Sequence, residues 1–522
     1  MSIFNSSPAD PQLSRASSTR SLLLGLLTLL CCILAIIVRF DACCDDLWAD
    51  ELHTAWVVDG EWKDLPARAA IGNQPPLYFA LVKTITQFAG LSEASIRSLS
   101  FIAGLGLIFA SWWFTWRITA DLWCALLAIT VVGLDSTCIF YATEARPYAL
   151  MQLALAWLVI LVIEGGSNSL QAISRALLAA FAIHLQFTSL IFLAPLYAAR
   201  VVMLSMSPKT ERLRIVATLG IEITILLVLS APLTSQVLEI ANRGQAWATF
   251  VPDPSFQGLL KLFPWSPAVV SVLAFLIPSQ KEPLPKVRRP LGWLAWLNLS
   301  PIALATFVSW IGLAPLFFRR YLLGAEWPLL MIPSLALSLC RGVWKLGLAS
   351  LILFAVVWES KLIAPECWSI GRLTQMRNEA WTDAANHIAT IDPNGEFPVF
   401  VASGFIESRQ LDKDPSQLLR DYCRLPIATL YRTPHSLESV EPISSVIPRS
   451  PPDRWVNQVL KKQGGIWLLR VQPKSSQPWQ RFGERLRETL VTRSGNDDWT
   501  IKVHAVSGIT ILELRRNMEE PP

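Results

Sequence analysis

The sequence predicts a polytopic α-helical membrane protein with a soluble α/β domain at its C-terminus. Three observations support this fold class. Of the 522 residues, 52% are hydrophobic and only 16% are charged, whereas a soluble domain is nearer a quarter charged. Apolar runs long enough to cross a membrane recur through residues 21–362. From residue 363 onward the chain returns to the charge density and patterning of a soluble protein.

The first apolar run, residues 21–38, contains no charged residue and has about the length needed to cross ~30 Å of hydrocarbon. It follows a polar N-terminus with Arg15 and Arg20, which is also how a secretory signal peptide begins. No small-residue cleavage site follows the run, and further spans come later. We therefore interpret it as a retained signal anchor, with residues 1–20 as a cytoplasmic N-terminal tail.

Further apolar runs bring the number of predicted transmembrane helices to about eleven, in a membrane part that covers residues 21–362. These runs are 98–116, 122–140, 147–163, 171–186, 188–205, 214–233, 258–278, 291–312, 321–340 and 344–362. The two runs within 171–205 are short and joined by a tight turn. The stretch 75–90 begins Pro-Pro, contains Lys83 and is too short to cross, so we expect a helix at the outer surface.

The cations indicate the direction of each crossing. With the N-terminus in the cytoplasm, the inner loops hold Arg117, Arg175, Lys209, Arg212, Arg214, Lys281, Lys286, Arg288, Arg289, Arg341 and Lys345. This distribution satisfies the positive-inside rule, and it requires two crossings within 171–205. Three parts then face outward: a long loop at 39–97, a short loop at 141–146, and the extracytoplasmic domain at 363–522.

The C-terminal part, residues 363–522, predicts a small α/β domain. Apolar residues recur at helical spacing around 380–388, and 398–402 and 466–471 are typical of strands. Residues 500–505 and 508–514 predict a hairpin. No catalytic motif is evident there. The nine cysteines of the chain include no CxxC pair or Cys/His metal spacing, and Cys367 could form a disulfide with Cys423.

The outer loop at 39–97 is acidic, and its N-terminal part holds eight carboxylates: Asp41, Asp45, Asp46, Asp50, Glu51, Asp59, Glu61 and Asp64. Asp50 and Glu51 lie in an amphipathic segment of the kind that rests on a bilayer surface. A carboxylate there can act as a general base on an acceptor hydroxyl, and a merely solvated acidic loop is the alternative. No metal is required, although Asp45, Asp46, Asp50 and Glu51 could bind a divalent cation through oxygen ligands.

Two further outer segments carry charge. Glu144 and Arg146 lie between two spans, where they could anchor the interface or, in the case of the arginine, bind a phosphate. Arg319, Arg320 and Tyr321 precede another span. These residues either anchor the span at the membrane interface or form a second binding site for a lipid phosphate.

Two polar residues fall inside predicted spans. Glu222 is costly within a membrane and is a functional candidate for that reason, although the sequence names no partner for it. His184 is either a satisfied polar group or a substrate-binding side chain.

Four motifs together resemble the integral-membrane glycosyltransferases of the C superfold, in the branch of protein O-mannosyltransferases and aminoarabinose transferases (dolichyl-phosphate-mannose-protein mannosyltransferase-like proteins). The motifs are ADELHTAWVVDG at 49–60, NQPPLYFALVKTITQFAGLSEASIRSLSFIAG at 73–104, YATEARPYAL at 141–150 and RRYLL at 319–323. Their order, spacing and sidedness agree with the family across roughly residues 20–340. The first two motifs are the more specific.

The resemblance implies an inverting transfer of a sugar from a polyprenyl-phosphate donor to a hydroxyl of a lipid or protein, on the outer side of the cell membrane. It implies that Asp50 is the general base, with Glu51 beside it in the same motif. Glu144 and Arg146 match the motif that lines the cleft, and Arg320 with Tyr321 matches the segment near the donor phosphate. No nucleic acid and no obligatory cofactor are expected.

The sequence departs from the aminoarabinose branch at one position. Where that branch has a lysine before Pro-Pro, this chain has Gln74, which supplies no charge. Donor binding would then depend on Arg146, Arg320 or Lys83.

Two other functional classes remain open at this point. A transporter or flippase of a lipid-linked saccharide would also have many spans, but such proteins usually show internal repeats and interrupted midplane helices. We find no repeat, and the charges cluster on the outer face. A non-catalytic assembly protein that works through its C-terminal domain is the third hypothesis.

Overall fold

A computed structural model describes residues 11–43, 45–166, 168–206, 208–238, 251–276, 285–360, 379–413, 416–471 and 475–517. The described residues fall into two compact units. The first lies within Met1–Ala42 and Leu99–Thr374, and the second lies within Cys43–Ser98 and Gln375–Pro522. The acidic outer loop therefore belongs to the same unit as the C-terminal segment, an association that the sequence did not indicate. Cys367, which the sequence allowed as a disulfide partner of Cys423, lies outside the described residues.

Helices form most of the described chain. Up to residue 206 they are α1 (Pro11–Cys43), α2 (Ala49–Asp59), α3 (Leu65–Ile71), α4 (Leu77–Ala89), α5 (Glu93–Thr119), α6 (Leu122–Leu134), α7 (Ser136–Ala142), α8 (Tyr148–Glu164), α9 (Ser169–Leu185) and α10 (Ser189–Met206). Up to residue 360 they are α11 (Lys209–Ser230), α12 (Phe256–Leu262), α13 (Ser266–Ser271), α14 (Leu273–Leu276), α15 (Pro285–Trp310), α16 (Glu326–Leu337) and α17 (Gly342–Ser360).

Every predicted span contains a helix, but fewer helices have the length and composition of a full crossing. Five do so within the described residues: Gly25–Cys43, Glu93–Thr119, Thr210–Leu238, Lys286–Trp310 and Gly342–Ser360. Two bent pairs raise the number to seven if each pair is one span. Helices such as α8 and α9 have 17 residues, which at 1.5 Å per residue falls a little short of ~30 Å. The number of eleven crossings therefore stays a prediction.

One bent pair, α6 and α7, meets at 62°, and charged side chains satisfy both helix ends at the bend. Asp135 caps α7 by accepting from the Cys138 amide at 2.7 Å. Arg39 donates to the carbonyls of Gly133 at 2.6 Å and Val132 at 3.1 Å, at the end of α6. These backbone groups have no intrahelical partner, so the two side chains allow a break inside an apolar bundle.

The C-terminal segment folds around a five-stranded sheet. The strands are β1 (Val399–Ala402), β2 (Val440–Pro442), β3 (Gly464–Leu469), β4 (Trp499–Val506) and β5 (Ile509–Arg516), in the order β2-β1-β3-β5-β4. β1 runs parallel to β2 and β3, and β5 is antiparallel to β3 and β4. The strands predicted at 398–402 and 466–471 and the closing hairpin are all present.

Four helices accompany the sheet: α18 (Trp381–Ile391), α19 (Gln417–Cys423), α20 (Asp453–Lys462) and α21 (Gln477–Ser494). Helices α20 and α21 place Trp455 and Phe482 in one apolar core with Phe400, Trp467 and Leu512 of the strands. Phe400 and Trp467 stack with their ring centroids 4.6 Å apart. Burial of several large aromatic side chains is the main source of stability for this layer.

Candidate active site

Helix α2 carries Asp50 and Glu51 in its first turn. The preceding Trp48 is extended, with φ −91° and ψ 171°, and the Glu51 carboxylate accepts from its amide at 3.3 Å. A carboxylate at the third helical position that reaches back to the cap satisfies an amide that the helix leaves unpaired. Acidic residues in the first turn also interact favourably with the helix dipole. The sequence therefore sets the start of α2 one residue before Asp50.

Glu51 is fully buried in an ion pair with Arg97 of α5. The guanidinium makes two bonds to the carboxylate, from Nε to Oε1 at 2.8 Å and from Nη2 to Oε2 at 2.6 Å. The same guanidinium donates to the carbonyl of Cys43 at 2.8 Å. Neither side chain of the pair exposes more than 1% of its surface. The ion pair of Glu51 therefore stabilises the loop, whereas the neighbouring Asp50 is only half-buried.

Lys83 of α4 holds the other end of α2. Its ammonium donates to the Val58 carbonyl at 2.8 Å and to the Gly60 carbonyl. Val58 lies in the last turn of α2 and Gly60 directly follows the helix, where a cation and hydrogen-bond donors are both stabilising. The side chain that the sequence offered as a phosphate ligand thus caps the helix that carries Asp50.

Gln74, the residue that replaces a lysine, lies in the turn between α3 and α4 and is 95% buried, with a relative exposure of 5%. Its backbone amide donates to the Ala69 carbonyl at 3.2 Å. His53 of α2 packs against the same turn at Gly72, where an added Cβ would lie 2.3 Å from the imidazole ring. The side chain of residue 74 is therefore largely shielded from solvent.

The acidic residues of the loop do not gather around one point. The Asp46 carboxylate accepts from the amide and hydroxyl of Thr382, at 2.8 Å in both cases, and Glu51 is paired with Arg97. Among the described residues, no group of three or more His, Cys, Asp or Glu side chains is arranged to hold a metal ion.

In the first unit, the segment 141–146 between α7 and α8 is buried. Glu144 and Arg146 expose 1% and 5% of their surface. The Arg146 amide donates to the Glu144 carbonyl at 2.7 Å, and the Ser100 hydroxyl of α5 donates to the Arg146 carbonyl at 2.9 Å. Two charged residues on the short turn between α7 and α8 are thus almost fully buried, a placement typical of functional sites in membrane proteins.

Arg320 and Tyr321 lie on an irregular segment made of two short turns, Arg319–Tyr321 and Leu323–Ala325. Both side chains are half-buried and both contact Phe318. The Arg320 guanidinium lies 5.2 Å from its ring centroid, and the Tyr321 ring lies 5.6 Å away.

A buried polar network anchors this segment. Arg319 donates to the Thr137 hydroxyl and to the Glu326 carboxylate, the latter at 3.2 Å. Gln152 of α8 donates to the Leu323 carbonyl at 3.2 Å and to Glu326 at 3.3 Å. The sequence analysis did not identify Glu326 or Gln152. The available signal was a carboxylate inside the apolar run 321–340, and the structure shows that this carboxylate is fully buried.

The two polar residues inside predicted spans have partners. Glu222 of α11 is fully buried and forms ion pairs with Arg175 of α9, at 2.8 Å, and with Arg200 of α10. His184 Nε2 is 2.9 Å from the Leu229 carbonyl. These contacts tie α9, α10 and α11 together and favour a structural role for both residues.

The candidate residues therefore divide between the two units. Asp50, Glu51, Gln74 and Lys83 lie in the second unit, around α2. Glu144, Arg146, His184, Arg320 and Tyr321 lie in the first unit.

Comparison with known proteins shows the fold of the chain. No protein-family model matches the sequence, and no curated protein matches it. Two crystal structures of ArnT from Cupriavidus metallidurans are similar in structure. The apo form has a TM-score of 0.51 at 10% identity, and the form bound to undecaprenyl phosphate has a TM-score of 0.53 at 11% identity. Each match covers 95% of this chain and 98% of that chain. The chain thus shares its fold with ArnT over almost the whole length of both chains, in agreement with the fold that its motifs predicted.

Proposed function

We propose that this protein transfers a sugar from a polyprenyl-phosphate donor to a hydroxyl of a lipid or protein, with inversion, on the non-cytoplasmic face of the cell membrane. The observation that carries the proposal is the likeness, over almost the whole of both chains, to a protein solved with undecaprenyl phosphate bound. The four motifs of the outer segments support the same chemistry. A transporter would require none of them.

Asp50 is the proposed general base. The donor already carries a good leaving group, a lipid phosphate, so the enzyme needs to remove one proton from the acceptor and to stabilise the charge that develops on the phosphate. Asp50 is half-buried on a helix whose two ends are fixed, by Glu51 with Arg97 and by Lys83. A base held in this way loses little freedom when the acceptor binds. Glu51 is buried in its ion pair, so it supports the base instead of replacing it.

The donor phosphate requires positively charged ligands, and two of the cations in the motifs already bind other groups of the protein. Lys83 donates to the end of α2, and Arg319 is bound by Glu326 and Thr137. We assign the phosphate to Arg146 and Arg320, with Tyr321 beside Arg320, because these residues match the cleft-lining motif and the segment near the donor phosphate in the family that the sequence resembles. A guanidinium in a site of low dielectric suits this task, because its planar donors match phosphate oxygens and its charge is poorly screened there. The uncharged Gln74 then contributes no more than a hydrogen bond.

The test replaces Asp50 with asparagine, which has nearly the same shape and no basicity. Membranes that contain the full-length protein receive radiolabelled undecaprenyl-phosphate mannose or undecaprenyl-phosphate aminoarabinose, and label transferred to an endogenous acceptor is measured. We expect Asp50→Asn to lower the rate by about 10²–10⁴-fold, the range for loss of a general base. Asp59→Asn, an exposed carboxylate of the same helix, is the matched control and should keep full activity. Wild-type activity in Asp50→Asn would exclude Asp50 as the base.

A further inference from the structure

The residues that lead into α2 are bound one after another by the C-terminal segment. The Asp46 carboxylate accepts two hydrogen bonds from Thr382, at 2.8 Å each. The Leu47 amide donates to the Tyr431 hydroxyl at 2.6 Å. The two residues before Trp48 and α2 are thus bound by side chains that lie more than 300 residues away in the sequence.

Glu379 binds the first residue of α2 itself. Its Oε2 accepts from the Ala49 amide at 3.1 Å, next to Asp50. The carboxylate is held in turn by Arg470, at 2.7 Å, and by the Trp381 indole at 3.1 Å. It exposes only 9% of its surface. A buried carboxylate with three donors has a fixed position, and it fixes the amide that it binds.

The C-terminal segment also packs along one face of α2. Tyr422 lies edge-on to His53, with centroids 5.5 Å apart, and 5.7 Å from the Trp56 ring. Ala49, His53 and Trp56 follow the i, i+4, i+7 spacing of a single helical face. The contacts therefore hold the first amide of the helix and fix its rotation about its axis.

We propose that the C-terminal segment is a clamp that positions Asp50, with Glu379 and Tyr431 as its positioning residues. The inference rests on the proposed function, because it gives the segment a role in the same reaction. The first amides of a helix have no intrahelical acceptor, so a helix without an external one frays there. Asp50 is the second residue of α2, and fraying would move its carboxylate out of line with the acceptor hydroxyl. A displacement of about 1 Å can lower a rate by 10²-fold.

Two substitutions in the full-length protein test the clamp. Glu379→Gln removes the charge and keeps the size, and Tyr431→Phe removes one hydroxyl. We expect both to accelerate amide hydrogen exchange in peptides that cover residues 45–55. With the labelled undecaprenyl-phosphate sugars, we expect the rate at saturating donor to fall about 10-fold in Glu379→Gln and about 3-fold in Tyr431→Phe. The KM for the donor should change less than 2-fold, because the donor phosphate is assigned to other residues.

The matched control is Asp497→Asn, which removes an equivalent charge from an ion pair with Arg487 on the same segment. The Asp497 side chain is 76% exposed, so neither the hydrogen exchange of residues 45–55 nor the rate of sugar transfer should change. Unchanged exchange in Glu379→Gln and Tyr431→Phe would overturn the clamp, as would faster exchange with an unchanged rate. If wild-type protein transfers no label from either donor, the proposed function fails, and the exchange data alone then decide whether the clamp exists.

Discussion

Replacement of Arg97 by leucine is the most direct test of how the acidic loop is held. The substitution leaves the Glu51 carboxylate, which has no exposed surface, without its bidentate partner. It also removes the donors to the carbonyls of Cys43 and Asp46. Removal of one member of a buried ion pair costs about 3–5 kcal/mol. With about 2–4 °C per kcal/mol for a unit of this size, the unfolding temperature should fall by roughly 6–20 °C.

The assay is thermal unfolding of purified full-length protein in detergent, followed by tryptophan fluorescence and by loss of the monodisperse chromatographic peak. The double variant Glu51→Met with Arg97→Leu is the informative comparison, because it leaves no buried charge. Apolar replacement of a whole buried pair is often neutral, so the double variant should recover most of the lost stability. If Arg97→Leu unfolds within 2 °C of wild type, or if the double variant is no more stable than the single one, the assignment of this pair as the anchor of the loop is wrong.

Three further predictions concern Glu326, Lys83 and His387. Glu326→Gln should lower the unfolding temperature by several degrees and accelerate hydrogen exchange in residues 316–327, because Arg319 loses a charge-assisted bond worth about 1.5–3 kcal/mol. Lys83→Met should lower stability while the KM for the labelled donor stays within 2-fold of wild type, because the ammonium binds the carbonyls at the end of α2. A 10-fold higher KM at unchanged stability would instead show that Lys83 binds the donor phosphate. Burial and the neighbouring His504 lower the pKa of His387, so the unfolded chain binds the proton more readily. Stability should therefore decline as the pH falls below about 6.5, and His387→Gln should flatten this dependence in melts between pH 5 and 8.

The controls for these predictions use similar chemistry at exposed positions. Glu164→Gln breaks a half-exposed pair with Arg117, with 3.7 Å between the charged atoms, and should change the unfolding temperature by less than 2 °C. An equal effect of Glu164→Gln and Glu326→Gln would contradict the claim that burial makes the second pair important. For the pH series, a melt of His387→Gln that keeps the wild-type dependence would assign the titration to other groups.

The apolar runs and strand patterns of the sequence predicted the secondary structure well because those signals are local. The predicted runs contain helices, and the strands at 398–402 and 466–471 are present. The partners of polar residues were not predictable in this way. Glu51 finds Arg97 46 residues away, and Glu222 finds Arg175 47 residues away. Such distances carry no periodicity, and the side chains are brought together only when the apolar faces of their helices pack.

The same limit explains why the acidic loop was expected to belong to the membrane part. The motif at 49–60 follows the first span directly, and nothing in the sequence links it to residues 379–431. Much of the link consists of single hydrogen bonds to backbone amides, such as those of Leu47 to Tyr431 and of Ala49 to Glu379. A backbone amide has no sequence signature, so any residue at position 47 or 49 except proline could make the contact. Only the folded chain reveals it.

The contacts of the basic side chains help to assign which of them bind the donor phosphate and which stabilise the fold. The sequence predicted Arg146, Arg320 or Lys83 as the ligand of the donor phosphate, and it left Arg319 and Arg320 open as a second phosphate-binding group. Of these residues, Lys83 donates to a carbonyl at the end of α2, and Arg319 binds the buried Glu326 carboxylate; both partners are costly to leave unsatisfied. Removing Arg319 should therefore damage stability first, whereas removing Arg320 should damage donor binding first, because its motif matches the segment near the donor phosphate. Arg319→Lys and Arg320→Lys, compared by donor KM and by unfolding temperature in the same membranes, separate the two roles. A higher KM in Arg319→Lys at unchanged stability would reverse the assignment.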